Sequence, residues 1–87
     1  MEQTRQRKID REHLYQAPAF LEIQRRVGAN IRKLRLEKEL KQEQLAYLAG
    51  LSTRVFQRAE AGESNLTLVT ISRLCTALSV RPEDLVR

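Results

Sequence analysis

Hydrophobic residues recur along most of the chain at the three- and four-residue steps of an amphipathic helix. The first such run consists of Phe20, Ile23, Val27, Ile31 and Leu34, with Arg25, Arg26, Arg32 and Lys33 on the opposite face. Pro18 suits the first turn, where a missing N–H is harmless. The pattern predicts a helix from about Ala19 to Lys38, after a polar tail of residues 1–16.

Two short helices predicted in the middle of the chain are separated by a glycine. The first is expected over Gln42 to Ala49, and its inward side consists of Leu45, Ala46, Leu48 and Ala49. Gly50 can end this helix in a left-handed conformation at little cost. Ser52 is a good N-cap for the next helix, which is expected from about Thr53 to Glu60.

The last third of the chain predicts two further helices. Thr67 can cap a helix whose apolar positions are Leu68, Ile71, Leu74, Cys75 and Leu78. A short final helix is expected to begin at Pro82, with Glu83 and Asp84 in its first turn, where negative charge is favoured. Five helices and no strand candidate predict an all-α fold, with one domain over residues 17–87.

The spacing of three residues in the middle of the chain is typical of a helix-turn-helix. Two helices that cross steeply through a short turn need a small residue at the crossing, a glycine in the turn and an apolar anchor in the second helix. Ala46, Gly50 and Phe56 meet these needs, and they predict a helix-turn-helix over about residues 42–60. Its second helix can enter a DNA major groove. An ordinary helical hairpin with a coincidental glycine is the alternative interpretation of these residues alone.

Composition adds little to this prediction and excludes several classes of function. Sixteen Lys and Arg against eleven Asp and Glu give a net charge of +5, which suits a polyanionic partner but is common in other small proteins. The single cysteine, Cys75, excludes an internal disulfide and a cysteine-based metal site, and we expect it to be buried. No paired carboxylates, usable histidine or phosphate-binding glycine loop indicates an enzyme, so we expect no catalytic residue and no cofactor. No apolar run is long enough to span a bilayer, and we expect a cytoplasmic protein.

Most of the chain closely resembles the phage repressor and Cro-like regulators, the XRE or Cro/C1-type helix-turn-helix family. The resemblance extends over about Val27 to Val86 and is strongest in IRKLRLEKELKQEQLAYLAGLSTRVFQRAEAG, followed by LTLVTISRLCTALSVRPEDL, which is similar to the family's fourth and fifth helices. Its specific motifs are Arg35, Gln42-x-x-Leu45-Ala46, Gly50-x-Ser52 and Glu60-x-Gly62. Two shorter stretches, RLEKELKQEQLAY and NLTLVTI, are similar to the controller proteins of restriction–modification systems. The resemblance implies a five-helix, lambda-repressor-like DNA-binding domain.

The resemblance also implies roles for ten residues. The positions expected to read base edges are Thr53, Arg54, Gln57 and Arg58. The positions expected at the DNA backbone are Gln42, Ser52, Asn65 and Thr67. Arg35 and Glu60 match a pair that in this family forms a structural ion pair between the first and third helices. The recognition residues have suitable chemistry, because Arg can pair with guanine and Gln with adenine. On an arbitrary helix, the alternative would be a solvated polar face.

The expected function is a sequence-specific transcriptional regulator, a repressor that binds double-stranded DNA. We expect a homodimer on a pseudo-palindromic operator, because one recognition helix contacts too few base pairs. The candidate interface residues are Val80, Leu85, Val86 and Phe20. The alternative on the same fold is a protein-binding module, such as an antitoxin with a toxin partner or a coactivator that contacts a polymerase.

Overall fold

The computed structural model describes residues 15–87, and five helices run through that part of the chain. They are α1 (Pro18–Glu37), α2 (Gln42–Leu48), α3 (Thr53–Glu60), α4 (Leu68–Leu78) and α5 (Pro82–Val86). Residues 15–87 contain no strand, so the predicted all-α, five-helix fold is confirmed. The observed bounds differ from the predicted ones by one residue in α1 and α2. Most of the predicted tail, residues 1–14, lies outside the described residues.

The two helices of the helix-turn-helix begin with different capping interactions. Ser52 caps α3 because its Oγ accepts a hydrogen bond from the Val55 N–H at 3.1 Å. Lys41 occupies the N-cap position of α2, and its ammonium group cannot accept a hydrogen bond. Here the Gln44 side chain reaches back, and its Oε1 accepts from the Lys41 N–H at 2.7 Å. Half of a capping box therefore replaces the missing cap.

Gly50 turns the chain between α2 and α3. Its φ of +71° lies in the left-handed region, where a side chain would be strained. This conformation lets the Leu51 N–H donate to the Ala46 carbonyl at 2.8 Å, the hydrogen bond that closes a Schellman motif. The turn therefore ends α2 with the Ala46 and Tyr47 carbonyls paired to the backbone N–H groups of Leu51 and Gly50.

The core joins all five helices. Its largest fully buried side chains are Ile31, Leu45, Phe56, Leu74, Leu78 and Leu85. Ala46 and Ala59 are also buried, and small side chains of this kind let neighbouring helices approach closely. Cys75 is buried as predicted, and burial, together with the charge of Asp84, raises the pKa of its thiol.

Several predictions about apolar positions are wrong. Leu68, one of the apolar positions expected in α4, is 83% exposed. Leu48 was expected to face inward but is 56% exposed, because it lies about 60° outside the arc formed by Leu45, Ala46 and Ala49. Ile23 is also more than half exposed, since the buried residues of α1 begin only at Val27. Leu85 was a candidate for the dimer interface, but it is 0% exposed and belongs to the core.

Candidate nucleic-acid interface

Helix α3 presents a polar face opposite its buried side. Phe56, Ala59 and Glu60 are buried against the rest of the domain. The four residues expected to read bases point away from them: Arg54, Gln57 and Arg58 are exposed, and Thr53 is half-buried. Because successive helical residues are about 100° apart, these four side chains span an arc of about 140°. The structure therefore brings the predicted base-reading residues together on one face of one helix.

A buried ion pair attaches α3 to α1. Arg35 Nε donates to Glu60 Oε2 at 2.6 Å, and Arg35 Nη2 donates to Glu60 Oε1 at 2.9 Å. A third donor, Arg35 Nη1, binds the Leu40 carbonyl at 2.8 Å. Arg35 is 7% exposed and Glu60 is 8% exposed, so both charges are almost out of water. Because the guanidinium is planar and donates two parallel hydrogen bonds, it holds both oxygens of the carboxylate.

The pKa values of both partners favour their charged forms. Burial alone would raise the pKa of Glu60, but the hydrogen bonds from Arg35 and Gln42 and the charges of Arg35 and Arg32 together lower it. Arg32 contributes from the surface, with its Nη1 3.8 Å from Glu60 Oε1. For Arg35, the hydrogen bond with Glu60 raises the pKa against the opposite effect of burial. The pair is therefore ionised wherever the domain is folded near neutral pH.

Two glutamines extend this network from the buried carboxylate to the exposed face of α3. Gln42, the first residue of α2, donates from Nε2 to Glu60 Oε1 at 2.8 Å. Gln57 on α3 then donates from its Nε2 to Gln42 Oε1 at 3.1 Å. A continuous series of hydrogen bonds thus runs from Arg35 through Glu60 and Gln42 to Gln57. Gln42, expected at the DNA backbone, has its amide engaged inside the protein on both sides.

The other residues expected at the DNA backbone lie near the beginnings of helices. The Ser52 hydroxyl caps α3 and is exposed. Asn65 is exposed in the loop before α4. Thr67 caps α4, with its Oγ1 accepting from the Thr70 N–H at 3.1 Å.

Arg58, one of the residues expected to read bases, bends towards the end of its own helix, where its Nη2 donates to the Glu63 carbonyl at 3.3 Å.

Residues 30–87 match the family profile described as the Cro/C1-type HTH DNA-binding domain. The chain belongs to this family. The match begins in α1 and includes α2 to α5, so it contains the whole helix-turn-helix. The Cro/C1-type domain binds DNA, and the chain is a DNA-binding regulator of the helix-turn-helix class rather than an enzyme.

Individual relatives of this Cro/C1-type chain agree with that assignment. It is 35% identical over 66 residues to the HTH-type transcriptional regulator y4dJ of Sinorhizobium fredii, covering 76% of this chain and 86% of the relative. It is 40% identical to the restriction-modification controller protein C.AhdI of Aeromonas hydrophila, with a TM-score of 0.69 over 71% of this chain and 94% of that one. A hypothetical transcription factor from Neisseria, NHTF, is 28% identical with a TM-score of 0.72, over 75% of each chain.

The structure adds two residues to the Cro/C1-type site. Val55 is 45% exposed beside Arg54 and offers methyl groups of the kind that contact thymine methyls. Gly28 was given no role. A Cβ on Gly28 would lie 2.8 Å from the Ala59 carbonyl oxygen and 2.7 Å from that of Glu60. The absence of a side chain therefore lets α1 approach the end of the recognition helix.

The single signal for Gly28 in the sequence was a glycine inside a strong helical pattern. Such a glycine costs about 1 kcal/mol relative to alanine, so its presence calls for a packing reason.

The helices of residues 15–87 include none that is long and apolar enough to cross a membrane.

Proposed function

We propose that this chain is a repressor that binds a pseudo-palindromic operator in double-stranded DNA as a homodimer, with residues 17–87 as its DNA-binding domain. The observation that supports this most directly is the polar face of α3, held against α1 by the buried pair of Arg35 and Glu60. A rigid recognition helix is what base readout requires, because hydrogen bonds to base edges tolerate little displacement.

The residues on the polar face of α3 are assigned roles by their chemistry. Arg54 and Arg58 each pair with guanine through two parallel hydrogen bonds, Gln57 pairs with adenine, and the Thr53 methyl group contacts thymine. The contacts with the DNA backbone come from Gln42, Ser52, Asn65 and Thr67. Backbone contacts set the register of the protein on the duplex, and base contacts select the sequence.

A homodimer doubles the number of base pairs that are read. Its half-sites lie about one helical turn apart, roughly 34–36 Å. With Leu85 assigned to the core, the remaining interface candidates are Val86, which is 49% exposed, and the half-buried Val80 and Phe20. Sedimentation tests this: the wild type is expected to be dimeric at tens of micromolar and Val86→Asp monomeric, with the far-UV circular dichroism of the two unchanged. A monomeric wild type would contradict the dimer.

Selection of bound sequences from a random DNA pool tests the function as a whole. The expected result is one motif with two inverted half-sites. Binding to that motif should weaken steeply as salt is added, since each neutralised phosphate contributes a slope of about −0.9 to log K against log salt. Salt-insensitive binding to a single protein, together with no affinity for DNA, would refute the regulator and favour the protein-binding module.

The likeness to C.AhdI supports a narrower assignment, to the controllers of restriction–modification systems. That relative is 40% identical, and the match covers 94% of its chain. If the assignment is correct, the selected motif occurs upstream of a restriction endonuclease or methyltransferase gene. A reporter gene placed behind that motif should be less active when the protein is produced, and a more active reporter would contradict the repressor.

A further inference from the structure

The orientation of the Gln57 amide follows from the buried carboxylate, two hydrogen bonds away. A carboxylate accepts hydrogen bonds and cannot donate them. Gln42 must therefore face Glu60 Oε1 with its amide nitrogen, as the 2.8 Å contact from Nε2 shows. That choice leaves the Gln42 oxygen on the side of α3. Because Arg35 keeps Glu60 charged, Glu60 always accepts from the nitrogen of the Gln42 amide. Gln57 therefore faces the oxygen of that amide.

Gln57 in turn must face Gln42 with its nitrogen. The contact is 3.1 Å from Gln57 Nε2 to Gln42 Oε1. If the Gln57 amide were turned by half a rotation, two amide oxygens would face each other and the hydrogen bond would be lost. Gln57 is exposed, so its own Oε1 and the second hydrogen on Nε2 lie at the surface of α3. It presents an acceptor and a donor in a fixed order.

We propose that Gln57 selects adenine over guanine at one base position of each half-site, and that Gln42 is the positioning residue that sets this choice. The inference rests on the proposed function of the same site. Adenine offers a donor at N6 and an acceptor at N7, which match the free oxygen and the free N–H of Gln57. Guanine offers acceptors at both O6 and N7, so the fixed oxygen of Gln57 would face O6. To accommodate guanine, Gln57 would have to break its bond with Gln42.

Three variants test this in the random-pool selection. Gln57→Ala should lose the base preference at one position per half-site and keep the rest of the motif. Gln57→Glu, which can only accept, should change the preference at that position from adenine to cytosine, whose N4 amino group is a donor. Gln42→Met should keep adenine but lower the discrimination against guanine by about 2- to 10-fold, the worth of one neutral hydrogen bond.

Gln44→Met is the matched control for Gln42→Met. Gln44 also lies on α2, but its side chain accepts a hydrogen bond from the Lys41 N–H, whereas Gln57 is hydrogen-bonded to Gln42. Its replacement should leave the adenine-to-guanine ratio unchanged. The ratio is measured by titrating duplexes that differ in that base pair alone, with thermal unfolding used to confirm that each variant is folded.

The outcomes separate this inference from the proposed function. If the wild type selects a motif and Gln57→Ala selects the same one, Gln57 does not read a base, although the protein remains a DNA-binding regulator. If Gln42→Met leaves the adenine-to-guanine ratio at the wild-type value, the positioning role of Gln42 is refuted. If the wild type selects no motif at all, the proposed function and this inference both fail.

Discussion

Replacing Glu60 by glutamine tests whether the buried ion pair holds the recognition helix in place. The substitution keeps the shape of the side chain and removes its charge. Arg35 then remains 7% exposed, with no carboxylate to balance its guanidinium. The amide offers one oxygen where the carboxylate offered two, so the Nε and Nη2 donors of Arg35 cannot both be satisfied as they are now.

The expected loss is large for a domain of this size. Removing one partner of a buried ion pair costs about 3–5 kcal/mol, because the remaining charge is buried without compensation. At roughly 0.05–0.15 kcal/mol per residue, a chain of 87 residues has about 4–13 kcal/mol of stability in total. Glu60→Gln should therefore remove about a quarter or more of the free energy of unfolding, and it can unfold the domain altogether at the lower end of that range.

The assay is urea unfolding followed by far-UV circular dichroism. Glu60→Gln should lower the midpoint without changing the slope, since the surface exposed on unfolding is the same. Glu63→Gln is the control, because Glu63 is an exposed carboxylate just beyond α3 and its loss should change stability by no more than about 0.5 kcal/mol. If Glu60→Gln is as stable as Glu63→Gln, the pair does not hold α3.

Three further predictions use the same protein. Because folding lowers the pKa of Glu60, its carboxylate contributes stability at pH values above its ordinary pKa of 4.5. That contribution is lost as the pH falls through the lower pKa of the folded state. The advantage of the wild type over Glu60→Gln in urea should therefore shrink in acid, and an advantage that grew would contradict this. Gly28→Ala should cost about 1–3 kcal/mol through overpacking, although alanine favours helix. The control is Ala29→Gly at the exposed neighbouring position, which should cost about 1 kcal/mol through helix propensity alone. If Gly28→Ala were more stable than the wild type, the close approach of α1 to the end of α3 would be refuted. Arg54→Ala and Arg58→Ala should each lose about 1–3 kcal/mol of discrimination at one base position, measured with operators changed one base pair at a time. Equal weakening on all sequences would show that these arginines bind phosphate.

The helices could be predicted from the sequence because the signals that begin and end them are local. Gly50 has a positive φ, and Ser52 caps the helix that follows it, so both act within a few residues of their own positions. The helical period then places Phe56 on the inner side of α3 without knowledge of any partner. These signals suffice for the order of the elements and for the helix-turn-helix.

Burial was harder to predict, because periodicity gives the direction of a side chain and not what lies in that direction. Leu85 lies on α5, a helix too short to bury a side chain by itself. It is in the core because α5 packs against the other helices. Leu48 continues an apolar run on α2, yet none of the described helices covers it fully. Gly28 illustrates the same limit, since its importance depends on a carbonyl group about thirty residues away.

The candidate site could be predicted as a set of residues but not as a network. Gln42 and Gln57 were assigned to different tasks, backbone contact and base readout, because each matched a separate position. Their hydrogen bond joins side chains on two helices, 15 positions apart, and depends on the crossing angle of α2 and α3. A contact of this kind follows from tertiary geometry and is invisible in either helix alone.

A double substitution would separate what the buried pair does for stability from what it does for specificity. Replacing Arg35 by Met and Glu60 by Leu leaves no charge to desolvate, and such replacements of buried pairs are often neutral or stabilising by about 1–4 kcal/mol. The same change removes the acceptor that orients Gln42, and through it the amide of Gln57. We therefore expect the double variant to unfold at a urea concentration equal to or above that of the wild type, yet to discriminate less between adenine and guanine. A variant that kept the full discrimination would show that the crossing of α2 and α3 alone orients Gln57, and a variant less stable than Glu60→Gln would show that the pair cannot be replaced by apolar packing.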